Sequence, residues 1–178
     1  MGRPAGVLIL VLGVLASACG GSDSPTADAS ALQLRRVRDV VPRTSPEWDT
    51  TDLTCPGDAV AGCLAAASTE PVVVLGAEGE KYLLGPVVVD GSDAEEATAR
   101  QGTPASTGWS VNVQLSEEGS EALASATRAS VGDRIATVVD GLVVSAPTVA
   151  EPITAGAVVV AGGLSENEAE RLASSLGG

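Results

Sequence analysis

The sequence has no histidine and no phenylalanine, and only ten lysine or arginine residues stand against 23 aspartate or glutamate residues. Without histidine, the chain lacks the commonest general base of enzymes and the commonest nitrogen ligand of metals. Its formal net charge is −13, and the basic residues cluster only at Arg35, Arg36 and Arg38. Binding to nucleic-acid phosphates needs clustered cations, so nucleic acid is excluded as a partner. The core must be built from Ala, Val and Leu, with Trp109 and Tyr82 as its large side chains.

The first 18 residues have the features of a secretory signal peptide. Arg3 supplies a positive charge, and the apolar stretch from Ala5 to Ala18 ends in small residues before Cys19. This stretch is about 14 residues long, whereas a membrane-spanning helix needs roughly 20. We therefore expect a cleaved signal rather than a permanent transmembrane anchor.

Residues 15–19, Leu-Ala-Ser-Ala-Cys, resemble a bacterial lipobox, and this resemblance implies that Cys19 carries lipid. The alternative is an ordinary secreted protein cut after Ala18. Residues 19–31 are small and polar, and such a run behaves as a flexible tether. We expect the protein at the outer face of the cell membrane, held by acyl chains alone, because its negative charge is repelled by anionic headgroups.

The other two cysteines, Cys55 and Cys63, flank a loop that contains Pro56 and Gly57. Thiols oxidise outside the cytoplasm, so we predict a disulfide between them. A metal site is the alternative, but structural zinc needs four ligands, and the sequence offers no histidine and no further cysteine. A loop this short contributes about 2–3 kcal/mol by the chain-entropy argument.

Apolar runs and alternating patterns predict six strands, at residues 70–75, 81–89, 109–115, 135–139, 142–145 and 157–161. Asp140 and Gly141 join two of them as a two-residue type I′ turn, in which both positions need positive φ. We expect this turn to have a structural role.

Three helices are predicted from their N-terminal signals. Ser92 with Glu95, and Ser165 with Glu168, have the spacing of a capping box, and Ser116 is placed as an N-cap. The buried stripes expected for the second and third helices are Ala122, Leu123, Ala126 and Ala129, and Ala169, Leu172, Ala173 and Leu176. Helices and strands with one apolar face each predict an α+β fold, a two-layer sandwich of a mainly antiparallel sheet with helices on one face.

Residues 109–178 resemble the P1 head subdomain of SecD, the accessory membrane subunit of the bacterial Sec translocase. The most specific parts are residues 139–147 and 156–162. Residues 31–37 are also similar to a Leu-Gln-Phe-Arg-Pro-Val segment of SecD, from which Leu34 and Arg36 depart, and residues 81–93 are similar to the segment that begins its head. The resemblance implies the fold of that head and an extracytoplasmic address.

The resemblance also suggests a domain organisation. We divide the chain into a signal peptide (1–18), a tether (19–31), an N-terminal strand with the disulfide loop (32–69) and a head-like domain (70–178). The membrane helices that follow the head in the family are expected to be missing here. Proton-driven work is therefore not implied.

Catalysis is not expected. Ser145 lies outside any Gly-x-Ser-x-Gly motif and no histidine exists to activate it. The carboxylate pairs at 95–96 and 117–118 are adjacent on predicted helices, so they diverge rather than converge on one atom. Gly162 and Gly163 lack the lysine and the context of a phosphate loop. We expect no cofactor and no metal.

Two function hypotheses stay open. The first is a lipid-anchored binding module that contacts unfolded or exported polypeptide, or Sec translocase subunits, since the P1 head is the part of SecD thought to engage emerging preprotein. The second is a lipoprotein that binds a small ligand or an envelope component on the same scaffold. An open cleft or a free sheet edge would favour the first, and a large apolar pocket with converging polar groups the second.

Overall fold

The computed structural model describes residues 32–56, 60–102 and 108–177. Within these ranges the chain forms β1 (Leu32–Val41), α1 (Val60–Ala66), β2 (Val72–Leu75), β3 (Lys81–Asp90), β4 (Ala94–Gln101), β5 (Trp109–Leu115), α2 (Glu117–Arg128), β6 (Ile135–Val139), β7 (Leu142–Ser145), β8 (Ala157–Leu164) and α3 (Glu166–Ser175). None of the helices in these ranges is long and apolar enough to cross a membrane. The predicted signal peptide, Cys19 and the tether lie outside the described residues.

The strands form two antiparallel sheets, one of five strands in the order β2-β3-β1-β6-β7 and one of three in the order β4-β5-β8. β1 lies in the middle of the larger sheet, where Leu34 pairs with Val89 on one side and Thr137 on the other. The predicted α+β class with antiparallel pairing is confirmed, but the strands divide into two sheets. β1, which precedes the division placed at residue 69, therefore shares one sheet with β2, β3, β6 and β7, which follow it.

Two apolar cores hold these layers together. The first joins one face of each sheet with α2 and α3, and its fully buried members include Leu32, Val111 and Val160. The second lies on the other face of the larger sheet, where Leu64 of α1 packs with Val72, Leu84 and other strand residues. Tyr82 belongs to the second core, whereas Trp109 is only half-buried at the margin of the first.

The helix predicted after Asp90 is wrong. A single 3₁₀ turn forms at Gly91–Asp93, and its capping box consists of Asp90 and Asp93 rather than Ser92 and Glu95. Residues 94–101 then continue as β4, which pairs with β5. Alanine and glutamate are good helix formers, but intrinsic propensity is readily overridden by tertiary context, and here hydrogen bonding to the open edge of β5 decides the strand.

The two longer helices begin where the sequence indicates. The Ser116 hydroxyl accepts a hydrogen bond from Gly119 N–H at 3.1 Å. Ser165 and Glu168 form the predicted capping box, in which Ser165 N–H donates to Glu168 Oε2 at 2.8 Å. Hydrogen bonds from the Ser165 hydroxyl and backbone lower the pKa of the Glu168 carboxylate.

The buried faces of these helices match the prediction only for α3, where Ala169, Leu172, Ala173 and Leu176 are all buried. On α2 the fully buried residues are Gly119, Leu123 and Thr127, and Ala129 is exposed. The polar Thr127 is accommodated because its hydroxyl donates to the Leu123 carbonyl at 2.7 Å. A serine or threonine on a helix can satisfy its hydroxyl in this way. A prediction based only on apolar residues at helical spacing therefore overlooks Thr127.

Candidate functional site

An apolar groove opens between β7 and β8, the strands at which the two sheets approach each other. Its volume is about 360 Å³. The groove is lined by the loop that joins β7 to β8, including Val149, and by the ends of these two strands. Its floor also contains Leu34, Leu123 and Ile135. Thr137, Ser145 and Glu151 contribute polar atoms. We call this feature the β7–β8 groove.

β8 approaches β7 closely at Gly162. A Cβ placed on this residue would meet the Val144 carbonyl and lie 2.9 Å from its carbon. Only a residue without a side chain allows β8 to pass this close to β7. Ser145, next to Val144 on β7, and Ala157 on β8 both line the groove.

The loop over the groove is held by hydrogen bonds. Val149 N–H donates to the Asp133 carbonyl at 2.8 Å, and Val149 accepts from Gly132 N–H at 2.9 Å. Ile153 N–H donates to the Thr127 hydroxyl at 3.0 Å. The groove is therefore formed before any ligand arrives, which lowers the entropic cost of binding.

The two edges of the smaller sheet differ in chemistry. The β4 edge carries exposed Glu95, Glu96 and Arg100, and charged edges discourage pairing with another chain. β8 contains only Ala, Val, Gly and Leu, and pairs only with β5 among the described residues. Val159 on β8 is 61% exposed. β8 is therefore the edge suited to pairing with another strand.

The outer face of the smaller sheet becomes more apolar toward β8. The residues on this face are Glu96, Thr98 and Arg100 on β4, Gln114, Asn112 and Ser110 on β5, and Ala157, Val159 and Ala161 on β8. The exposed apolar strip along β8 is thus continuous with the β7–β8 groove, which Ala157 and Val159 also line.

Arg35 lies at 0% exposure within the larger sheet. Its five N–H groups have five acceptors at 2.9 to 3.1 Å, which are Gln33 Oε1 and the carbonyl oxygens of Leu64, Ala67, Glu70 and Gly85. Leu64 and Ala67 lie at the C-terminal end of α1, where a cation is favoured by the helix dipole. Burial lowers the pKa of Arg35. Arg35 thus fastens α1 to the sheet without lining the groove.

The predicted disulfide pair lies beside α1. Cys55 and Cys63 are joined in the structure, with Cα atoms 5.8 Å apart, a separation typical of disulfides. Cys55 is buried against Leu64 and its neighbours, whereas Cys63 is exposed. The oxidation state of the pair in its own compartment stays a prediction.

The Asp140–Gly141 turn has φ angles of 49° and 83°. Positive φ at both positions is what a type I′ turn requires. The turn joins β6 to β7 and lies at the other end of β7 from the groove. A purely structural role for the turn stays a prediction.

The residues considered for catalysis do not converge. Glu95 and Glu96 lie on β4, contrary to the helix predicted there, and Glu117 and Glu118 lie exposed in the first turn of α2. Ser145 does line the groove. No group of three metal-binding side chains occurs within the described ranges.

Sequence reasoning missed the groove itself. Its lining comes from β1, α2, β6, β7, β8 and a connecting loop, and no local pattern shows that these segments meet. One signal was available, since residues 157–164 form a strand without any charged or polar side chain. A strand like this at an edge is exceptional because edges are normally protected by charge.

Antiparallel sheets, two cores and a free apolar edge define an α+β domain. Residues 68–178 match the family described as SecDF, P1 head subdomain. The match covers more than half of the chain, and the protein belongs to this family.

Curated relatives include protein translocase subunit SecD of Streptomyces coelicolor, 34% identical over 102 residues, with 54% of this chain and 18% of that protein covered. SecD of Acidaminococcus fermentans is 36% identical over 96 residues, with 52% and 22% covered. The chain thus spans about a fifth of the length of these relatives.

Two solved structures share the fold. One, described as a membrane component SecDF that enhances protein export, is 24% identical with a TM-score of 0.54, and 82% of this chain and 61% of that chain are covered. The other, SecDF in a super-membrane-facing form, is 23% identical with a TM-score of 0.54, and 84% and 19% are covered. These coverages exceed what residues 68–178 alone can supply, so the shared fold includes part of the chain before residue 68.

Proposed function

We propose that this protein is a lipid-anchored binding module at the outer face of the cell membrane, where it contacts exported polypeptides or subunits of the Sec translocase. The observation that carries the proposal is the open β7–β8 groove beside a free, uncharged strand edge. Grooves bounded by a strand edge suit extended chains, because main-chain groups and alternate side chains can both be bound.

The groove has the properties needed for weak, general recognition. Its lining is mostly aliphatic, and its few polar side chains do not form a cluster of charges. Aliphatic surface recognises many apolar side chains without selecting one, because the hydrophobic effect is non-directional. A module that meets many different exported chains needs this tolerance.

The relatives support the same proposal by name. SecD is described as a protein translocase subunit, and one structural neighbour as a component that enhances protein export. The present chain covers only a small part of those proteins. We propose for it only the binding of polypeptide or translocase, by the head alone.

The anchor is the second part of the proposal. Cys19 follows a short apolar stretch and precedes a polar tether. Two acyl chains suffice for stable attachment to a bilayer. The tether then lets the head reach chains near the membrane surface.

We propose that the module works without catalysis. Ser145 lies in the groove, but the chain contains no histidine to activate it. The exposed carboxylate pairs lie on β4 and α2, outside the groove. Binding alone is what this arrangement supports.

In-cell crosslinking tests the proposal. A photoreactive residue at Val159 should capture Sec subunits or chains in the course of export when secretion is active. The matched control is Val131, a valine of similar exposure, 54% against 61%, which does not line the groove. Val131 should capture far less.

Either of two outcomes would contradict the proposal. Equal capture at Val159 and Val131 would mean that the groove has no special role. Recovery of one tightly held small molecule from the groove, with no polypeptide contacts, would instead support the small-ligand alternative.

A further inference from the structure

We propose that the free edge of β8 binds its polypeptide by adding a strand to the smaller sheet. The segment recognised is extended, carries apolar side chains at alternate positions and is basic rather than acidic. This inference rests on the proposed function, because it names how the same groove would hold a chain.

The hydrogen-bonding direction of β8 follows from its pairing with β5. Leu115 N–H donates to the Gly156 carbonyl at 2.8 Å, and Gln114 pairs with Ala157 as the next position. In an antiparallel ladder the main-chain groups of successive residues point alternately toward and away from the partner. Val158 and Val160 therefore point their N–H and C=O groups toward β5.

The main-chain groups of Ala157, Val159 and Ala161 point the other way, to the free edge. None of these three residues has a main-chain partner on that side among the described residues, and all three are exposed. They offer three donors and three acceptors, in steps of roughly 6.6 Å. An added antiparallel strand would use all of them.

The side chains of an added strand would alternate between two environments. Those on the inner side enter the apolar β7–β8 groove, beside Val158. Those on the outer side lie next to Val159 on the open face of the sheet. The inner positions therefore select apolar residues, whereas the outer ones accept many residue types.

The close approach at Gly162 fixes where pairing stops. Gly162 and Gly163 lie where the β5–β8 register shifts, and Gly162 is packed against Val144. An added strand is therefore limited to the positions opposite residues 157–161. A segment of about five to seven residues fills this edge.

Charge decides which segments are preferred. Glu151 lines the groove, and Glu96 and Arg100 of β4 lie on the same outer face as Val159 and offset each other, so Glu151 is the uncompensated charge beside the β8 edge. The chain as a whole has a net charge of −13. A basic flank would be attracted and an acidic one repelled, more strongly at low salt.

The test uses the protein purified from its cells and a synthetic heptapeptide with three valines alternating with two threonines between terminal lysines. Amide hydrogen exchange should slow at Ala157, Val159 and Ala161 when this peptide is added, while Val158 and Val160 change little. A second peptide is methylated on the alternate amide nitrogens whose N–H groups would point toward β8. It should bind at least about tenfold more weakly, because those N–H groups can no longer donate hydrogen bonds to β8. Exchanging the lysines for glutamates should also weaken binding.

A matched pair of variants isolates the main-chain contact. Val159→Pro removes an N–H that faces the free edge, where proline is tolerated, and should weaken peptide binding at least about tenfold. Val159→Thr keeps the N–H and the branched side chain and should stay within about threefold of wild type. The methylated peptide leaves the protein unaltered, so the result does not depend on the folding of the proline variant.

Four outcomes would overturn strand addition. The methylated peptide could bind as tightly as the unmethylated one, or the peptide could slow amide exchange at residues other than Ala157, Val159 and Ala161. In either case the proposed binding function would stand, but strand pairing on β8 would be wrong. The three amides could be protected without peptide as protein concentration rises, which would assign the edge to a second copy. If the peptide fails to bind and Val159 captures no chain in cells, the proposed function fails as well.

Discussion

Gly162 on β8 lies directly against the carbonyl group of Val144 on β7, one residue before Ser145, which lines the β7–β8 groove. The neighbouring Gly163 has a φ of 75°, yet a Cβ there would meet no atom within 4 Å. The two adjacent glycines are thus required for different reasons. Gly162 allows close packing of two strands, and Gly163 allows a left-handed backbone conformation.

Gly162→Ala should therefore force β8 away from β7. Overpacking against backbone costs about 1–3 kcal/mol, and the altered spacing of β7 and β8 should also change peptide binding. Gly163→Ala is the control, because it strains the backbone by about 1–2 kcal/mol without pushing the strands apart. Denaturant unfolding and peptide affinity should be measured for both. Unaltered stability and binding in Gly162→Ala would contradict the packing role.

Arg35→Lys should be strongly destabilising. Lysine has three donors on a flexible stem and cannot reproduce the five hydrogen bonds of the guanidinium fork, so buried carbonyls at the end of α1 lose partners. Each unsatisfied carbonyl costs about 1–3 kcal/mol, and we expect a loss of at least about 3 kcal/mol in the free energy of unfolding.

The control for Arg35 is its neighbour Arg36. The ion pair between Arg36 and Asp133, 2.9 Å apart, has side chains that are 45% and 55% exposed. Arg36→Lys should change stability by no more than about 1 kcal/mol. Both variants should be measured by urea unfolding. If Arg35→Lys lowers the free energy of unfolding no more than Arg36→Lys does, the buried hydrogen bonds of Arg35 contribute little to stability.

Some elements of this fold are predictable from sequence because their signals are local. The Asp140–Gly141 turn, the Ser165–Glu168 capping box and the strand at Trp109–Leu115 depend on residues within a few positions of each other. β4 was assigned wrongly because its strand state is imposed by β5. The burial of Arg35 could not be foreseen, since its acceptors come from residues 33, 64, 67, 70 and 85. The groove has no local signature for the same reason.

The Cys55–Cys63 pair should be oxidised in the protein's own compartment. Thiol labelling of an unfolded, unreduced Cys19→Ser chain should find no free cysteine, and reduction should release two. Reduction should lower the free energy of unfolding by about 2–3 kcal/mol, as the short loop implies. Two reactive thiols in protein taken from its native envelope would overturn the prediction. A much larger decrease in the free energy of unfolding on reduction would mean that the disulfide stabilises more of the fold than α1.

Cys19→Ser should release the protein from membranes. If the acyl chains on Cys19 are the attachment, wild type should sediment with the membrane fraction, and the variant should stay in solution or remain unprocessed. Cys63→Ser is the matched exchange, which should leave sedimentation unchanged. A Cys19→Ser variant that keeps its membrane association after signal removal would refute the lipid anchor.

The capping box of α3 should give stability that depends on pH. Hydrogen bonds from Ser165 lower the pKa of Glu168, so its stabilising effect is present above the ordinary pKa of glutamate, near 4.3. The effect is lost as the pH falls through the lower folded-state pKa. The Tm difference between wild type and Glu168→Gln should therefore shrink between about pH 6 and pH 2.5.

Glu170→Gln is the reference for this comparison, because Glu170 is an exposed carboxylate on the same helix. Its Tm difference from wild type should show less of this pH dependence. If the Tm of Glu168→Gln differs from that of wild type by the same amount at every pH, the ionised Glu168 carboxylate does not stabilise the capping box.

The central place of β1 sets the order in which this protein can fold. β1 is made first, yet it pairs with β3 and then with β6, so that Leu32 lies opposite Val139, roughly a hundred residues later. Until β6 is available, the β6-facing edge of β1 has no hydrogen-bonding partner. Non-local pairing of this kind slows folding and prolongs the exposure of an unpaired strand edge. The larger sheet can therefore be completed only after β6 has been made, although its central strand is the first of the described strands.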